Sequence, residues 1–179
     1  AKINRLPVAQ KRESQEICFI PDNDYASFLM RRFPEGWAKG DILNMAGEVL
    51  GTHPGYMHYT IGQRRGLGVA HPVPLYVVEI HPSENVIVVG RKQDLLKRVA
   101  LVNGINWISG QPPSLSEKIT AKIRYRHEDA EVRLNPVDKS QHAFHVTFNQ
   151  PQEAITPGQS MVFYSGEVVL GGGIIEGAE

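Results

Sequence analysis

Cys18 is the one thiol in the chain, and a thiol is the strongest soft nucleophile the sequence offers. Its neighbours Ile17, Phe19 and Ile20 are apolar, the setting of a packed, inert cysteine that behaves as a small hydrophobe. Reactivity would require a cation, a helix N-terminus or a base to hold the thiolate. Lys11 and Arg12 lie upstream, and a helix opening near Asp24 lies downstream. A single cysteine also excludes an internal disulfide and fits a reducing compartment.

Two further stretches carry enough polar chemistry to be sites. The segment from Gly51 to Gly68 is dense in glycine, histidine and arginine. Its glycines allow close backbone approach to a ligand, and Arg64 and Arg65 could face phosphate. It is not a P-loop, because no Gly-Lys-Ser/Thr follows a glycine at the required spacing. His53 and His58, with or without Cys18, match no familiar zinc spacing, so no metal is expected and these residues read as structural.

The second stretch is Lys118 to Arg126. As a regular strand it would place Lys118, Thr120, Lys122, Arg124 and Arg126 on one face and Ile119, Ala121, Ile123 and Tyr125 on the other. Such a stripe is ordinarily the solvated outside of a sheet. Cations repeating every ~6.5–7 Å along a strand also match a nucleic-acid backbone. Arg124 and Tyr125 would then point to opposite faces, unless a bulge or strand end falls there.

The elements that position these residues follow from the pattern. Asp22, Asn23 and Asp24 can each cap a helix over Tyr25, Phe28, Leu29 and Phe33, which Pro34 and Gly36 stop. Asp41–Met45 with Glu48–Gly51, and Tyr76–Ile80 with Val86–Val89, read as hairpins. From about Val99 six short strand windows follow: Val99–Trp107, Lys118–Arg126, Glu131–Leu134, Ala143–Phe148, Met161–Tyr164 and Glu167–Leu170. That density of strands predicts a small barrel or sandwich. Ser165-Gly166 is the expected hairpin turn, and Gly171-Gly172-Gly173 is expected to mark a bulge or a close backbone crossing.

The fold class is therefore mainly β with short helices: a small α+β central domain followed by a C-terminal antiparallel β-barrel. A link over residues 1–21 carries Cys18, the central domain covers 22–97 and the barrel 98–179. With 179 residues the chain can bury two small cores. Nineteen basic and nineteen acidic side chains cancel, so a polyanion partner needs a local basic patch. No apolar run approaches the ~18 residues that span a bilayer. There is no secretory start, and a cytoplasmic protein is expected. The opening without Met is expected of a piece of a longer chain.

Four stretches together resemble the tRNA 2-thiouridylase family: Glu13 to Ile20, His53 to Gly68, Arg124-Tyr125-Arg126, and Thr156 to Ser160 with Gly166 to Glu176. The strings Tyr59-Thr60-Ile61-Gly62-Gln63-Arg64-Arg65-Gly66 and Leu170-Gly171-Gly172-Gly173-Ile174-Ile175-Glu176 are the most specific. Glu16 departs from the pattern, standing where many members have glycine. The resemblance runs over nearly the whole chain in the right order. It implies an enzyme with an N-terminal ATP-binding domain, absent here, ahead of a small central domain and a β-barrel. ATP would activate C2 of the wobble uridine in glutamate, glutamine and lysine tRNAs. Cys18 would carry sulfur as a persulfide received from a donor protein, and a second cysteine in the absent domain would assist release. Residues matching Arg124, Tyr125 and Gln159 would contact tRNA, joined by Lys122 and Arg126 of the basic stripe. This part alone is expected to be inactive. Two other readings stand beside it: a non-catalytic RNA-binding β-barrel, and a zinc-dependent hydrolase using His53 and His58.

Overall fold

The computed structural model describes residues 20, 24–114, 117–125, 127–137 and 142–179. Cys18, Arg126 and, apart from Ile20, the link over 1–21 lie outside the described residues.

Helix α1 spans Tyr25–Arg32. Asp24 caps it, its carboxylate accepting from the Ser27 N–H at 3.0 Å, which satisfies one of the free N–H groups of the first turn. At the other end the Phe33 N–H reaches the Leu29 carbonyl at 2.8 Å before Pro34 forbids another turn.

Four strands follow: β1 Gly40–Asn44, β2 Val49–His53, β3 Tyr76–His81 and β4 Val86–Gly90. Their order in the sheet is β2-β1-β4-β3. The two expected hairpins form, and β1 joins them by pairing parallel to β4. The first turn is closed by Asn44, whose side-chain oxygen accepts from the N–H groups of Ala46 and Glu48, both at 2.9 Å. Ile42, Val77, Ile87 and Val89 are fully buried against Tyr59, Leu67 and Leu75 from the long loop between β2 and β3.

The remaining strands are β5 Leu96–Trp107, β6 Ile119–Lys122, β7 Ala130–Pro136, β8 Phe144–Glu153, β9 Ser160–Ser165 and β10 Val168–Ala178. They close into a barrel in the order β10-β5-β8-β7-β6-β9, every neighbouring pair antiparallel. Alternate residues point inward, as the period-two pattern requires. Phe148, Phe163, Met161 and Val102 are fully buried in its core.

The glycine run is both bulge and close approach. A Cβ on Gly171 would sit 2.5 Å from the Asn106 carbonyl oxygen, and one on Gly173 would sit 2.7 Å from that of Asn103. The β5–β10 register shifts between Gly172 and Ile174. The run therefore does not end the strand; β10 bends through it and continues to Ala178.

Two local expectations are corrected. The final hairpin turns on Gly166-Glu167, with Ser165 opposite Val168. The strand expected over Lys118–Arg126 spans only Ile119–Lys122; Ile123 keeps the inward alternation, 1% exposed, and the chain then turns, the His127 N–H donating to the Arg124 carbonyl at 3.0 Å. No helix among the described residues is long and apolar enough to cross a membrane.

Candidate nucleic-acid interface

The end of β6 is what assembles the site. Beyond Lys122 the chain leaves the sheet, Ile123 anchors the departure in the core, and the His127 N–H closes a turn onto the Arg124 carbonyl at 3.0 Å. Tyr125 rides on this turn with 78% of its surface exposed. The strand end thus allows Arg124 and Tyr125, which a regular strand would set on opposite faces, to border one groove.

The other wall comes from β9 and the turn before it. Gly158 adopts φ +85°, a left-handed conformation that glycine takes without strain. The Gln159 N–H reaches the Thr156 carbonyl at 3.3 Å, while the Gln159 carbonyl accepts from Ile175 at 2.9 Å and Gly158 donates to Ile175 at 2.8 Å. The backbone under Gln159 is pinned to β10, and its side chain is left at the surface. Because β6 pairs with β9 in the register Lys122 to Val162, the two walls lie side by side on the barrel. Between them lies a groove of about 600 Å³ lined by Lys122, Arg124, Tyr125, Gln159, Ser160 and Tyr164.

Its electrostatics are cationic. The Lys122 ammonium sits 5.5 Å from the centre of the Tyr164 ring, a cation–π distance. Arg124 donates from Nη1 to the Glu153 carbonyl at 3.3 Å, but the Glu153 carboxylate is held by Lys92 at 3.0 Å. Arg124 is therefore positioned without being neutralised. Burial, and then the nearby Arg124 charge, hold the His127 pKa below its ordinary value. Among the described residues neither Lys122 nor Arg124 pairs with a carboxylate.

The basic stripe is split. Lys118 pairs with Glu131 at 3.6 Å and lines a different recess with Arg133. Thr120 contributes no exposed group; its hydroxyl is buried. Tyr164 and Ser160 complete the groove, and period-two spacing from Val162 on β9 was the signal that could have found them. A groove with two cations that no described carboxylate neutralises, an exposed aromatic ring and an amide can hold phosphate oxygens and stack a base.

His53, at the end of β2, and His58, in the loop that follows, do other work. His53 is buried, 1% exposed. Its Nδ1 accepts from the Gly55 N–H at 3.1 Å and its Nε2 lies 3.2 Å from the Asn85 carbonyl, so both ring nitrogens are used within the fold. His58 packs edge-on against Trp37, centroids 4.5 Å apart. The opening of α1, where a phosphate would need free N–H groups, is occupied by the Asp24 carboxylate.

Residues 26–91 match the family model described as tRNA methyl transferase PRC-barrel domain, and residues 97–175 match that described as aminomethyltransferase beta-barrel domain. A tRNA-specific 2-thiouridylase MnmA from Chlorobium chlorochromatii is 48% identical over 179 residues, covering 98% of this chain and 49% of its own length. The chain belongs to the tRNA-specific 2-thiouridylase family. A second 2-thiouridylase, from Caldanaerobacter subterraneus, is 48% identical over 96% of this chain and 46% of its own length. One from Halothermothrix orenii is 42% identical over 94% and 47%. The chain spans about half the length of the curated 2-thiouridylases it matches.

Proposed function

We propose that this chain is the sulfur-carrying and tRNA-docking part of a tRNA uridine 2-sulfurtransferase, working with an ATP-binding domain elsewhere in the same protein. The observation that carries the docking role is the groove uniting Lys122, Arg124, Tyr125 and Gln159 on the barrel wall. Arg126 belongs to the same reading by sequence. The groove would hold the phosphate backbone through its two cations, while Tyr125 stacks an unpaired base and Gln159 hydrogen-bonds a sugar or base edge.

Cys18 is the sulfur carrier in this reading. Loaded by a donor protein, its persulfide is more acidic than a thiol and a strong nucleophile near neutral pH. The terminal sulfur attacks C2 of the adenylated wobble uridine in glutamate, glutamine and lysine tRNAs, and AMP leaves with the C2 oxygen. A second cysteine thiolate then attacks the Cys18 sulfur and breaks its bond to the transferred sulfur, so that the two cysteines become a disulfide while the sulfane sulfur is reduced and stays on C2 as the thiocarbonyl. The central domain (22–97) and barrel (98–179) act together as the docking platform. The reading places the protein in the cytoplasm, where its tRNA substrates are.

The test is charge reversal of Lys122 and Arg124 in the intact protein, with tRNA affinity measured across salt. Loss of affinity together with a shallower salt dependence is expected. Unchanged affinity and slope would remove the groove from the account. For sulfur transfer, Cys18→Ser in the intact protein should abolish 2-thiouridine formation while leaving tRNA affinity in place.

A further inference from the structure

The loop between β2 and β3 carries two arginines that the barrel groove does not use. Its conformation is fixed from within. The Gln63 side chain accepts from the Thr60 N–H at 3.1 Å and donates to the Arg65 carbonyl at 3.0 Å. The backbone is stitched to β3, Gly62 donating to Val77 at 2.8 Å and Val77 donating to Gln63 at 2.9 Å. Leu67 is buried in the core beneath it. Arg64 and Arg65 project from this frame exposed, and no carboxylate among the described residues pairs with either.

In a chain whose charges cancel overall, two adjacent unpaired guanidiniums on a rigid loop are a directed feature. A loop ordered before binding loses little entropy on meeting its partner. The choice of partner follows from what surrounds them. Within the loop itself no large apolar side chain is exposed: Leu67 and Leu75 are buried and Val69 and Val73 half-buried, so the loop offers charge without the apolar anchor that centres a protein interface. Guanidiniums without such an anchor suit phosphate.

The loop is also mechanically continuous with the groove. A Cβ on Gly62 would lie 3.1 Å from that of Ala154. Ala154 follows Glu153, whose carbonyl holds Arg124, and Thr156 bonds back to the Ala154 carbonyl at 3.0 Å while supporting Gln159. The segment from Glu153 to Gln159 thus touches the loop on one side and carries the groove on the other.

We infer that Arg64 and Arg65 form a second phosphate-contact point for the RNA held in the barrel groove, so that the substrate spans both β units. This rests on the reading of the groove as a tRNA site. Affinity is then shared between two rigidly connected points, which fixes the orientation of the RNA as well as its attachment.

The experiment compares Arg64→Ala/Arg65→Ala with Lys122→Ala/Arg124→Ala in the intact protein, measuring tRNA affinity across salt concentrations. The loop pair should weaken binding roughly tenfold near physiological salt and lower the slope of log affinity against log salt by about 1.4–1.8. Arg64→Lys/Arg65→Lys should keep most of the slope. Loss of affinity only in the groove pair overturns the inference and leaves the groove standing. No effect from either pair overturns both. A loop variant that binds tRNA normally but takes up sulfur poorly from its donor protein also overturns it, assigning the arginines to a protein contact. As a check independent of substitution, tRNA should protect Arg64 and Arg65 of the unaltered protein from phenylglyoxal modification; full reactivity in the complex counts against the inference.

Discussion

The barrel and the four-stranded sheet are held together by different means. Among the described residues the barrel encloses one core of sixteen buried side chains, and its ring of strands satisfies the ladder on every side. The sheet has seven and adds a polar keystone. His53 links β2 to the carbonyl before β4 and to the loop at Gly55, while Asn85 donates to the Lys39 carbonyl at 2.8 Å just before β1. The barrel is secured by packing; the sheet depends also on hydrogen bonds that a single proton can disturb. The groove stands on the first kind of scaffold and the arginine loop on the second.

Removing core volume from the barrel tests that contrast most severely. Phe163→Ala deletes a fully buried ring and should cost about 3–5 kcal/mol, read as a lower denaturant midpoint. A small loss would mean that the barrel core relaxes more readily than its packing implies. His53→Ala should cost roughly 2–3 kcal/mol, since it leaves the Gly55 N–H without its acceptor and opens a cavity. Hydrogen exchange should localise the damage to the sheet, faster at Gly55 and in β1 and β2, with barrel amides unchanged. Equal acceleration in both units would erase the distinction.

Protonation is the gentler version of that experiment. Burial holds the His53 pKa below 6.5, against a smaller opposing effect of its Asn85 hydrogen bond. The unfolded chain therefore binds the proton more readily than the folded one. Stability contributed by neutral His53 is present above about pH 6.5 and declines as pH falls toward the folded pKa, by at most about 1.4 kcal/mol per pH unit. His127 shifts the same way, so His53→Gln should reduce the acid slope without abolishing it. The smallest effect is expected at the join. Ala154 holds φ +54°, a left-handed conformation that strains any residue bearing a Cβ. Ala154→Gly should be stabilising by about 0.5–1 kcal/mol in thermal unfolding.

The sequence made local structure legible wherever one residue type forces one conformation. Asp24 before an apolar helical repeat and Pro34 after it appear as expected, and the alternating strands form, though the last hairpin turns one residue later than expected. What could not be read were properties set by distant partners. Nothing near Asp41 announces its parallel pairing with Val86, and Lys118 leaves the basic stripe because Glu131 arrives from β7. The strand end at Lys122, foreseen only as one of two ways to bring Arg124 and Tyr125 together, is marked by a turn between Arg124 and His127 that the alternation through Ile123 does not announce. Arg124 is steadied by a carbonyl 29 residues further on, which no local pattern records. The glycine run announced its crowding but not the continuation of β10, because Asn103 and Asn106, against which it packs, lie far earlier in the chain.

The pairing of β10 with both β5 and β9 has a consequence for biosynthesis. β10 is the last of the barrel's strands in chain order and the one that shuts the ring, so every nascent chain lacking it carries two unsatisfied edges, at β5 and β9. Such edges recruit strands from other molecules, and the step most in need of protection on the ribosome is the arrival of the final eleven residues of that strand.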